Sequence, residues 1–90
     1  MIGLFSFMPA SVYIIFSEKT NKYYVGHTEN LEDRLERHNA GRNLATKAGA
    51  PWILKYTEEF PTKAEASKRE AAIKKKKSRK YIEQLISAAG

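Results

Sequence analysis

Leu31, Arg34, Leu35 and His38 recur at i, i+3, i+4 and i+7, so in a helix they share one stripe. The opposite side carries Glu32, Asp33, Glu36 and Arg37, an ordinary solvated face. A stripe made only for packing does not normally include a guanidinium, because burying an unpaired charge is expensive. Arg34 is therefore either paired with a partner or lining a pocket. A second helical stripe, Ala66, Glu70, Ile73 and Lys77, sets Glu70 on the apolar side of the most basic stretch of the chain. A salt bridge to Lys74 at i+4 would also account for Glu70, a pair contributing only ~0.2–0.5 kcal/mol. Tyr13 and Tyr24 fall on consecutive strands, where two tyrosines can be plain packing. Each of these five side chains has a simple account alone. Together, beside a cationic stripe, they are harder to set aside.

That stripe is local. Residues 1–62 hold seven basic and seven acidic groups, which cancel, whereas residues 63–80 hold nine Lys or Arg against Glu65 and Glu70. One segment thus supplies the whole net charge of +6. Such a stripe is a footprint for phosphate backbones or, less often, for anionic lipid; a solubilising helix face is the plain alternative. A membrane-surface role is the weaker of these, since the basic helix has mostly alanine on its apolar side, where interfacial helices carry Leu, Phe or Trp.

With 90 residues, 42% of them hydrophobic, the chain has room for one domain and one modest core. It has no cysteine, which excludes disulfides and thiolate metal sites and suits a reducing cytoplasm. No apolar run approaches the ~20 residues needed to span a bilayer, so no membrane partner is expected. The opening "MIGLFSFMPA" lacks the basic start and cleavage site of a signal peptide. Residues 1–8 are read as an N-terminal extension, with Met8 an alternative start, and residues 9–88 as the domain.

The elements that must position the five groups read as follows. "SVYIIF" (11–16) is a strand in which Val12, Ile14 and Phe16 point one way and Tyr13 and Ile15 the other. "SEKTNK" is a turn, and "YYVG" (23–26) is the second strand of a hairpin, with Gly26 and His27 leaving it. Asn30 caps a helix that ends at Gly41, a C′ residue. Residues 42–51 form a loop and "WILKYTEEF" (52–60) a third strand. Thr62 and Glu65 make a capping box opening a helix through Lys77, and Ser78 caps a last helix, "RKYIEQLI". The order β-β-α-β-α-α describes a small α+β domain, a three-stranded, mostly antiparallel sheet flanked by helices.

"SVY" (11–13) and "YVG" (24–26) resemble the two halves of the GIY-YIG signature, with Tyr13 and Tyr24 eleven positions apart. The arginine of that family's next helix falls at Arg34, His38 follows one turn later, and the glutamate of a later helix falls at Glu70 in "ASKREAAIKK". The likeness runs from about Ser11 to Ile86. It is nearest to the short, single-domain bacterial members (YhbQ-like), and "HNAGR" (38–42) and "PW" (51–52) strengthen that placement. The first triplet departs from the pattern in having Ser11 where glycine is usual, which removes no reactive group.

The resemblance implies a metal-dependent phosphodiesterase, a DNA endonuclease. Glu70 would hold one divalent ion, Mg²⁺ or Mn²⁺; a single carboxylate suits Mg²⁺, which keeps most of its waters. Tyr13 would be the general base, its phenolate stabilised by nearby positive charge from Arg34 and the metal. Arg34 would also stabilise the pentacovalent phosphate, with Tyr24 and His38 positioning the water or shuttling its proton. Arg34 and His38 would thus face the scissile phosphate, and Gly26 would let the backbone pass close by. DNA phosphates would lie on Lys74, Lys75 and Lys77, with Arg42 and Lys47 in the loop, contacts that position without reading sequence. A branched or flapped DNA is the expected substrate, with targeting supplied by self-association or a partner protein. The alternative is a non-catalytic nucleic-acid-binding domain of the same fold.

Overall fold

The computed structural model describes residues 9–89. The N-terminal extension expected at residues 1–8, and Met8 as a start, lie outside the described residues. Strand β1 (Ala10–Ser17) is the centre of an antiparallel sheet, with β2 (Lys22–Thr28) on one side and β3 (Trp52–Phe60) on the other. Helix α1 (Leu31–Asn39) follows the hairpin, a short 3-10 turn (Lys47–Gly49) precedes β3, and α2 (Lys63–Lys75) and α3 (Arg79–Ala89) complete the expected α+β order.

The alternation read in β1 divides the core in two. Val12 and Ile14 face one way and pack with Val25, Ala66 and Ile73 beneath α2 and α3. Tyr13 and Ile15 face the other way and pack with Trp52 beneath Leu31 and Leu35 of α1. Helix ends form where the capping residues stand: Asn30 Oδ1 accepts from the Asp33 amide at 3.1 Å, and Thr62 Oγ1 accepts from the Glu65 amide at 3.2 Å. Ser78 Oγ accepts from the Tyr81 amide at 3.0 Å, and Gly41 takes the left-handed conformation (φ 75°) that ends α1.

Two boundaries differ from the sequence reading. Strand β2 continues through Gly26 and His27 to Thr28, because the ladder to β1 runs on as far as Ser11. Helix α2 stops at Lys75 rather than Lys77: Lys77 adopts φ 48°, the left-handed position after a helix, and Ser78 then starts α3. Lys77 therefore leaves the stripe of Ala66, Glu70 and Ile73.

Two arginines fix how the helices lie. The Arg69 guanidinium reaches the Glu58 carboxylate of β3 through Nε at 2.8 Å and Nη2 at 3.0 Å. The next residue on a helix is turned by about 100°, so anchoring Arg69 to β3 directs Glu70 towards the other edge of the sheet, at β2. Arg79 donates to the Asn21 carbonyl at 2.7 Å and to its side-chain oxygen at 3.0 Å, tying α3 to the hairpin turn. Among the described residues no helix is long and apolar enough to cross a membrane.

Candidate active site

Tyr13 lies opposite Gly26 in the β1–β2 ladder. A Cβ at position 26 would stand 2.5 Å from the Tyr13 hydroxyl and 2.7 Å from Cζ, so the ring crosses β2 only because residue 26 has no side chain. Gly26 thus makes room for a tyrosine, rather than for a passing backbone. The hydroxyl meets His38 Nε2 at 2.8 Å, and Nδ1 of that imidazole is 2.7 Å from Thr46 Oγ1. Thr46 Oγ1 also lies 3.4 Å from the Asn43 carbonyl, to which a hydroxyl can only donate. The consistent assignment has Thr46 accepting from Nδ1–H, leaving the Nε2 lone pair to accept from Tyr13. The Trp52 indole N–H donates to the Thr46 carbonyl at 2.8 Å and holds the loop in place.

Burial dominates the electrostatics of this chain. Tyr13 is 1% exposed and His38 0%. Desolvation pushes the Tyr13 pKa up to about 12, with Tyr24 adding to the rise; Arg34 pulls the other way and is outweighed, and the Glu70 charge adds a further small rise. Burial likewise lowers the His38 pKa, assisted by the Arg34 charge, which favours the neutral imidazole. One expectation changes: His38 sits behind Tyr13 instead of facing a phosphate. Arg34 pulls the Tyr13 pKa down, the direction expected of it.

Tyr24 stands edge-on to the His38 ring at 5.2 Å between centroids and to Trp52 at 6.4 Å. Lys74 Nζ lies 5.6 Å from the centre of the Tyr24 ring and bonds Glu70 Oε2 at 2.5 Å, so the carboxylate reaches the edge of the sheet beside the tyrosines. Its other oxygen lies 2.5 Å from His27 Nδ1. Burial would raise the Glu70 pKa, but the hydrogen bonds from Lys74 and His27 outweigh it and hold the carboxyl below the usual range. His27, Asn30, Asp33, Arg34, Arg37 and Lys63 line an open cleft beside this group. Glu70 and the salt bridge weighed as its plain account therefore coexist.

Tyr13, Tyr24, His38, Arg34 and Glu70 come together, by contact or through their charges, around one phenol. The cationic residues are more dispersed. Arg42, 3.8 Å from Glu36, and Lys47 follow the C-terminal end of α1, away from Asn30. Lys75 and Lys77 are exposed beyond Lys74. The donor set fits a divalent cation in part: Glu70 offers a carboxylate beside the cleft, against His27 of its wall, while among the described residues no group of three His, Cys, Asp or Glu forms a protein cage. Waters and phosphate oxygens would complete the sphere, as Mg²⁺ commonly has it.

Two residues of this arrangement were not singled out in the sequence. Thr46 sits in an aperiodic loop, where no spacing marks it. His27 carried a signal: extending the two-residue period of Tyr23 and Val25 puts it on the α2 face of β2.

A GIY-YIG catalytic domain model matches residues 9–82. A UPF0213 protein of Staphylococcus haemolyticus is 45% identical over 64 residues, covering 70% of this chain and 77% of the relative. The UPF0213 protein YazA of Bacillus subtilis is 40% identical over 70 residues, covering 73% and 71%. The solution NMR structure of a UPF0213 protein from Bacillus halodurans superposes with a TM-score of 0.58 at 33% identity, over 92% of this chain and 87% of that one. The matched span contains Tyr13, Tyr24, Arg34, His38 and Glu70, and the chain belongs to the GIY-YIG family, among its short UPF0213 members.

Proposed function

We propose that this protein is a metal-dependent DNA endonuclease that hydrolyses phosphodiester bonds and recognises structure rather than sequence. The observation that carries this reading is the chain Tyr13–His38–Thr46, set beside the charges of Arg34 and Glu70. A neutral tyrosine whose proton is already directed at an acceptor can still take a proton from water, provided its own proton moves on. Here the acceptor is His38 Nε2, so the phenol oxygen accepts from the attacking water as its proton passes to the imidazole. Thr46 fixes the tautomer that leaves Nε2 free. The His38 charge formed in this step is opposed by Arg34, which favours return of the proton once phosphate charge has dispersed. Arg34 at the cleft supplies a bidentate donor for the non-bridging oxygens. A divalent cation held by Glu70 would supply further charge there and at the leaving oxygen.

The test is a panel of flaps, forks, junctions and plain duplex incubated with and without Mg²⁺ or Mn²⁺. Metal-dependent nicking that disappears in Glu70→Gln and in Arg34→Ala, with DNA binding retained, supports the assignment. Variants that cut like the wild type overturn it. One observation favours the second reading, a non-catalytic nucleic-acid-binding domain: the Tyr13 hydroxyl is enclosed. Binding without cleavage across all metals and branch geometries would select that reading.

A further inference from the structure

Glu70 has two close partners, and they are of different kinds. Lys74 is an exposed, unbranched cation lying on Oε2, free to swing out into solvent or onto a phosphate. His27 is held on an edge strand with only 23% of its side chain exposed, against 17% for Glu70, and meets Oε1 at 2.5 Å. The first partner occupies the position of a cation; the second is a potential ligand already beside the carboxylate. We propose that His27 is a second protein ligand of the divalent ion, which makes the site a mixed nitrogen–oxygen one that favours Mn²⁺ over Mg²⁺. This inference rests on the metal-dependent reading above and specifies which ion that reading takes.

The geometry is close to what ligation requires. Two donors in adjacent positions of an octahedral ion, each ~2.1 Å from it, stand about 3 Å apart. Nδ1 and Oε1 need to separate by roughly half an ångström from their present contact to reach that spacing. The exchange needs one proton and one cation to move. The Nδ1 proton leaves to solvent with Nε2 carrying the ring proton, so the ligand is the neutral imidazole. The Lys74 ammonium moves off Oε2 as the dication arrives. A neutral imidazole nitrogen adds affinity for first-row transition-metal ions, whereas Mg²⁺ is served by oxygen donors and its own waters. The cleft on the other side of the pair, with Arg34 and Lys63 on its wall, leaves the remaining positions to water and phosphate oxygens. The other role for His27 is positional: its Nδ1–H could simply orient the carboxylate. Asparagine separates the two roles, because its amide N–H can replace that hydrogen bond but offers no ligating nitrogen.

The experiment measures dissociation constants for Mn²⁺ and, by competition, Mg²⁺, on the wild type, His27→Asn, His27→Ala and Glu70→Gln, each verified as folded by its circular dichroism. Nitrogen modulation in the Mn²⁺ electron spin-echo spectrum reads imidazole coordination directly. The expected result is a loss of about tenfold or more in Mn²⁺ affinity in both His27 variants, with Mg²⁺ affinity nearly unchanged and the nitrogen signal gone. If His27→Asn binds Mn²⁺ like the wild type, or the wild type shows no nitrogen signal, the proposal is overturned and His27 is a positioning residue. Glu70→Gln reports on the underlying reading: loss of both ions there leaves that reading intact whatever His27 does, while undiminished binding of both removes it.

Discussion

The Tyr13 hydroxyl lies 2.8 Å from His38 Nε2, and both residues are almost wholly buried. The bond therefore couples packing to chemistry. Removing the hydroxyl in Tyr13→Phe keeps the ring across Gly26 but leaves a buried imidazole nitrogen without a partner, which costs about 1–3 kcal/mol. The variant is expected to remain folded, with a lowered melting temperature. Cleavage of the preferred DNA should fall by roughly 10²–10⁴ if the phenol relays the proton. Thermal denaturation and single-turnover cleavage on the same preparation check both. A variant that is less stable yet cleaves at the wild-type rate would confine Tyr13 to the core.

The same burial makes stability depend on pH. His38 has a lowered pKa in the folded chain, so as pH falls the unfolded chain takes up the proton first. Stability from this group is complete above the ordinary histidine pKa of ~6.5 and declines as pH drops from there towards the lowered native value. Denaturant unfolding across that window should show a free energy decreasing with acidification. His38→Gln can accept from Tyr13 and donate to Thr46 without titrating, so it should flatten this part of the profile. An unchanged slope in His38→Gln would assign the pH dependence to other groups.

Gly26 and Tyr13 form the second coupled pair. The Cβ of Gly26→Ala would fall 2.5 Å from the Tyr13 hydroxyl, and overpacking of that kind costs typically ~1–3 kcal/mol. A double-mutant cycle with Tyr13→Leu isolates the cause. With the phenol removed, alanine at 26 should cost much less than in the wild-type background, giving a coupling of about 0.5–3 kcal/mol. Additive effects would mean that the glycine serves the backbone rather than the ring.

How far the sequence discloses this site depends on whether a local period marks each residue. His38 and Arg34 stand out because a charged and a polar group share a leucine stripe, and Glu70 because it shares one with Ala66 and Ile73. The two faces of β1 follow from alternation alone; which helix covers each face does not, and α1 over Tyr13 is seen only in the structure. The environment of these groups is less legible. Burial of Tyr13 depends on Trp52 and on Leu31 and Leu35 of α1, all far along the chain from it, and no local pattern states that desolvation will outweigh Arg34. Lysines suit both a helix and its C-terminus, so the run from Lys74 to Lys77 hides the end of α2 at Lys75. The continuation of β2 was hidden by Gly26, which reads as a turn residue and serves instead as a gap for an aromatic ring.

The dispersed lysines make their own prediction. If Lys75 and Lys77 contact DNA phosphates, each releases counterions on binding, and removing one contact should reduce the slope of log affinity against log salt by about 0.9. Lys75→Gln and Lys77→Gln should therefore weaken binding to all DNA sequences alike at low salt and converge with the wild type at high salt. Arg42→Gln and Lys47→Gln test whether the loop beyond α1 belongs to the same surface. Their positions past the end of that helix, with Arg42 facing Glu36 at 3.8 Å, favour a smaller change in slope than at Lys75 or Lys77. Equilibrium binding of a labelled flap and a labelled duplex over a salt series gives all four slopes. Slopes unaltered at Lys75 and Lys77 would show that the basic segment is a solvated helix end and move the DNA path to the Arg34 and Lys63 side of the cleft.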